Sequence, residues 1–189
     1  MVPLFVATER FDPSDAERWQ EYCKCAQIPG LVEVVSLDML LCPRLAKAIK
    51  RPDWDHIVIE DFRSDYFYHL DYLLKRVRRH TRRNILGVYR NPEAHITRPP
   101  GPGDFAFVGY DLIEEATQIS AVTDCGGFPN AFSNQELNPC GLISDYARAA
   151  EVRIALREQY PNEPHADCEL YAVWRLNESS ADGSSAEAC

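Results

Sequence analysis

Long apolar runs are missing from this sequence of 189 residues: no stretch approaches the roughly twenty residues needed to cross a bilayer. The apolar run nearest the start, Val2 to Ala7, is interrupted by Pro3 and followed by Glu9 and Arg10, so it is too short for a secretory h-region and has no basic flank. A soluble, cytoplasmic protein is expected. The 9 glycines nowhere form the βα turn of a dinucleotide fold, a Gly-x-Ser-x-Gly nucleophile elbow, or a phosphate loop with its lysine and serine. The 7 cysteines are odd in number and lack the dense spacing of a secreted disulfide scaffold, which predicts that most are reduced thiols. Without a secretory context the sequon Asn177-Glu178-Ser179 is expected to stay unmodified. Cys189 is the last residue, whereas prenylation takes a cysteine four from the end. No cofactor signature is present.

What the sequence does contain is one dense patch of positive charge. Lys75, Arg76, Arg78, Arg79, Arg82 and Arg83 fall within "KRVRRHTRR", with no acidic residue among them. The chain carries a formal charge of −9, and removing the +6 of this run leaves −15 for the remainder. An electropositive band on an anionic surface is therefore expected. Elsewhere the 46% hydrophobic content is enough to build one core, and the length is short for two.

The apolar patterns predict strands at 2–7, 31–37, 84–90, 105–113, 118–123 and 168–176. Helical spacing predicts helices from about Pro13 to Gln27 after Asp12-Pro13, from Ser64 to His80, and from Asp145 to Gln159 with Ser144 as cap. Ser133 and Glu136 have the spacing of a capping box for a further short helix. The segment 91–104, with four prolines and two glycines, reads as a long surface loop. Together these patterns predict a single α+β domain over 1–176, with a mixed or antiparallel sheet of about five to six strands packed with three to four helices. The tail 177–189 has almost no bulky apolar residue and is expected to be disordered.

Three constellations are chemically suggestive. In "TDCGGFP", Cys125 precedes two glycines whose backbone N–H groups suit an oxyanion. With His165 as base and Asp167 or Asp124 as orienter, it would make a thiol hydrolase or acyl transferase. The plain reading is a turn with a packed cysteine. Cys125, His165 and Cys168 also offer zinc-type ligands, but only His165-x2-Cys168 is paired, so no metal site is assigned. Cys23-Lys24-Cys25 and the His56, Glu60, Asp61 group are weaker: the first pair diverges on a helix, and the second reads as a solvated acidic surface.

The third constellation is the basic run, where Arg76, Arg79 and Arg83 would present one cationic strip if the helix continued past His80. Within the proline-rich loop, His95, Thr97 and Arg98 are candidates for a neighbouring ligand contact. Guanidinium groups suit phosphate, yet an acidic remainder repels a long polyanion, which disfavours nucleic acid. The leading expectation is a non-catalytic binding protein of bacterial immunity, inhibitor or adaptor type, with one protein partner, basic in character, steered by the acidic surface. The alternatives are the thiol enzyme and a phosphorylated or nucleic-acid ligand held by residues 75–83.

Overall fold

The computed structural model describes residues 1–38, 66–114, 116–124 and 127–177. Among these, β1 (Leu4–Glu9), α1 (Ala16–Ala26), α2 (Leu70–Val77), β2 (Arg83–Arg90), β3 (Phe105–Glu114), α3 (Tyr146–Gln159) and β4 (Cys168–Leu176) follow in chain order. Short 3-10 turns cover Asn134–Glu136 and Pro164–Asp167. The strands form one antiparallel sheet of 4 strands in the order β1-β2-β4-β3, an α+β architecture. No helix among the described residues is long and apolar enough to cross a membrane.

The two central strands carry apolar residues on both faces, "NILGVY" in β2 and "LYAVW" in β4. Sheet register sorts the side chains. Leu86 pairs with Arg175, Val88 with Val173 and Asp111 with Tyr171, so these residues share one face. Tyr89, Gly87, Leu112 and Tyr110 lie on the other. Helix α3 covers that second face, where Tyr146 meets the Tyr110 ring at 5.8 Å. The proline-rich loop crosses the same face: Tyr89 Oη donates to Pro99 O at 3.2 Å, and Tyr146 Oη to Pro92 O at 3.0 Å. Pro100 packs so closely on Gly87 that an added Cβ would stand 2.3 Å from its Cγ. This close approach explains a glycine in the middle of a central strand.

The expected five to six strands reduce to four among the described residues, because two apolar segments form only isolated bridges. Over 31–37 the chain is extended but bonds to both sides, with Val34 N–H to Phe11 O at 2.8 Å and Val35 N–H to Cys140 O at 3.0 Å. Over 118–123 it forms a single antiparallel bridge, Ser120 to Ile113. The second helix is shorter than its apolar spacing suggested and stops at Val77, and the described part of the chain before it is extended at Tyr66 and Phe67. Residues 64 and 65, where that helix was expected to begin, lie outside the described residues, as does the tail from 178. Asp145 caps α3 instead of Ser144, its carboxylate accepting from Arg148 N–H at 2.8 Å. Ile154, an apolar residue within α3, is 58% exposed. The capping box at Ser133 and Glu136 forms in both directions.

The first face of the sheet contains a buried carboxylate. Asp111 is 0% exposed, and its Oδ2 accepts from Ser36 Oγ and Leu37 N–H, both at 2.9 Å. Its Oδ1 accepts from Leu112 N–H at 2.9 Å and Ser120 Oγ at 2.5 Å. Burial pushes the carboxyl above its ordinary value, and the hydrogen bonds pull against that shift. Asp38 extends the network, accepting from Ser120 N–H at 3.2 Å and Thr123 Oγ1 at 3.3 Å. One side chain thus ties β3 to both of these segments. Asp111→Ala strands buried donors from three places, and urea unfolding is expected to show a loss of about 2–4 kcal/mol; a change under about 0.5 kcal/mol would contradict this role.

Candidate functional site

Where α2 gives way to β2, the chain turns tightly and exposes its arginines. His80 N–H bonds to Val77 O at 2.9 Å, and Arg83 Nη1 donates to His80 O. The β1–β2 ladder ends at the pair Glu9 and Arg83, and one further backbone bond, Arg10 N–H to Arg82 O at 3.1 Å, carries the alignment on. Arg10, far from the basic run in sequence, therefore stands beside Arg82. Between them opens a polar cleft of about 270 Å³ lined by Arg10, Arg79, His80, Thr81 and Arg82, with Glu9 and Asp15 at its acidic side.

Most of these charges are already engaged. Arg82 Nη2 meets Asp12 Oδ1 at 3.2 Å, Arg10 Nε lies 3.8 Å from Glu33 Oε2, and Asp15 Oδ2 pairs with Arg18 at 3.2 Å. Glu33 is shared, since Arg175 also binds it. A hydrogen bond from Ser14 Oγ holds the Asp12 carboxyl below its ordinary value, against the opposing effect of burial and with help from Arg82 and Arg10. Arg79 is different: it is exposed, and no ion pair holds it among the described residues. The lining has three guanidinium groups against two carboxylates, in a volume suited to a small polar anion.

The single strip expected from Arg76, Arg79 and Arg83 is not formed. Helix α2 ends at Val77, so helical spacing does not govern the later two. Arg76 lies over the Tyr72 ring at 5.9 Å, and Arg83 is the first residue of β2. Of the three, only Arg79 lines the cleft. His95 and Arg98 do not: His95 Nδ1 lies 2.7 Å from Tyr110 Oη, within an aromatic group completed by Phe107 and Trp174, and Arg98 is exposed on the loop. Burial raises the Tyr110 hydroxyl to about 12, which keeps it neutral and able to donate.

Cys125 and Gly126 lie outside the described residues. Among the described residues, the Phe128 ring sits 4.9 Å from the His165 ring. His165 Nε2 is buried without a hydrogen-bond partner, and Asp167 is exposed on the 3-10 turn. Cys168 is 1% exposed, and burial drives its thiol well above the ordinary value. Among the described residues no group of three His, Cys, Asp or Glu is arranged to hold a metal ion. The sequence reading missed Arg10 and Arg82 as partners of Arg79. The only signal lay in pairing the end of strand "LFVATE" with the start of "RNILGVYR".

Compared with known proteins, the chain matches no family model, no curated protein and no solved structure. The thiols separate by exposure: Cys25 is exposed, Cys23 and Cys140 are partly covered and raised by burial, and Cys168 is enclosed. In timed iodoacetamide labelling read by mass spectrometry, Cys25 is expected to react first of these four and Cys168 only after unfolding. Rapid native labelling of Cys168 would contradict its burial at the start of β4, beside β3.

Proposed function

We propose that this chain is a non-catalytic binding protein that takes a phosphoryl group, carried on a basic segment of a protein partner, into the cleft between Arg10, Arg79 and Arg82. The observation that carries this reading is Arg79, a guanidinium with no ion pair among the described residues, lining the same cleft as two further arginines. A phosphoryl group supplies about two negative charges and three acceptor oxygens, enough to engage more than one guanidinium at once. Charge balance favours a discrete phosphate over a polymer. The −15 outside the basic run repels a long polyanion, and it attracts basic residues flanking a single phosphate. The volume of about 270 Å³ is large enough for a single phosphoryl group.

A lysine-rich peptide bearing one phosphoserine, compared by fluorescence anisotropy with its unphosphorylated twin, tests this directly. The phosphorylated form is expected to bind at least about tenfold more tightly, with Arg79→Gln removing most of the difference and added salt weakening both. Equal binding of the two peptides would overturn the reading.

A further inference from the structure

Asp12 stands outside the cleft lining, but its carboxylate engages Arg82, a guanidinium that lines it. Its Oδ1 takes Arg82 Nη2 at 3.2 Å, and the same oxygen accepts from Ser14 N–H at 2.9 Å and from Ser14 Oγ. The carboxylate is thus held in place by its own turn, and Asp15 N–H bonding to Asp12 O at 3.0 Å closes that turn ahead of α1. Phe11, the residue before it, is fixed by Val34 N–H at 2.8 Å and by ring contacts with Trp19 and Tyr22 at 5.7 and 5.5 Å. The backbone leading to Asp12 is therefore anchored in the core, while the ion pair it makes is at the surface, with Arg82 50% exposed. An exposed pair of this kind is weak enough to exchange.

Resting on the cleft reading above, we infer that Asp12 is a built-in competitor: it neutralises Arg82 when the cleft is empty, and an incoming phosphate displaces it. Displacement frees a carboxylate that Ser14 still holds at the start of α1, so the turn persists. The pair sets a threshold. A monoanionic carboxylate from solution exchanges one carboxylate for another at Arg82 and gains little, whereas a phosphate dianion also reaches Arg79. Binding then releases Asp12 from Arg82 as a necessary step, and any residue at position 12 without charge removes the threshold.

Calorimetric titration of the full chain with inorganic phosphate at low ionic strength tests this. Asp12→Asn, and Asp12→Ser as a second neutral variant that retains an acceptor for Ser14 N–H, are each expected to bind phosphate about fivefold more tightly than the unaltered protein, the equivalent of one exposed ion pair. Glu17→Gln, which removes a charge of the same sign from α1 outside the cleft lining, is expected to change affinity by less than about twofold. In the unaltered protein the Asp12 carboxyl carbon resonance should move on saturation with phosphate, as its titration shifts upward on losing Arg82. An unmoved Asp12 resonance in the phosphate-bound protein, or an affinity gain in Glu17→Gln equal to that of the two Asp12 variants, would overturn the competitor and leave the cleft standing. Absence of phosphate binding by the unaltered protein and by both Asp12 variants would overturn the cleft itself.

Discussion

The Asp111 carboxylate is the constraint on which the rest of the described structure depends. A fully buried anion is costly unless every lone pair is used, and here two hydroxyls and two backbone N–H groups use them. The donors come from separate stretches of chain, so satisfying one side chain fixes how three segments meet. From Ser36 and Leu37 the constraint runs back through Val34 to Phe11, whose neighbours are Arg10 and Asp12. The core hydrogen-bond network and the surface cleft are therefore joined through a single backbone bond between two segments, Val34 N–H to Phe11 O. Sequence places a polar residue in the middle of an apolar strand, "YDLI", and the fold turns that polarity into a clamp.

The second constraint is electrostatic. A net charge of −9 would leave a concentrated basic run free to collapse onto acidic neighbours, and in part it does, through the pair Arg82 with Asp12. What prevents full neutralisation is geometry. The helix ends at Val77 and the strand begins at Arg83, leaving five residues to make a turn whose arginines point outward. The positive end of the molecule is thus set by where two elements stop, with charge sequence alone insufficient to predict which guanidinium remains available.

Much of the sheet was legible before the structure. β4 spans Cys168–Leu176 as the apolar run predicts, and β2 and β3 differ from expectation only at their ends. These strands read well because turn residues bound them and because burial on both faces demands uninterrupted apolar character. The segments 31–37 and 118–123 are apolar too yet stay outside the sheet, since β propensity reports fit to a half-buried extended surface and a segment held by an isolated bridge offers that as well. The cleft was only half legible. Arg79 stands out in any charge count, but its partners depend on the register Glu9 with Arg83, which side-chain patterning does not encode. The expected cationic strip assumed a helix that tertiary structure shortens, a case of local periodicity overruled by the turn into β2.

The most direct measurement for the central claim is a residue-resolved map of anion binding: backbone amide NMR of the labelled protein titrated with inorganic phosphate at low ionic strength. The account predicts saturable shifts concentrated at residues 79–82, at Arg10 and across 12–15, with the proline-rich loop at 91–104 unmoved. Shifts centred on that loop, or linear drift without saturation at the cleft, would contradict it.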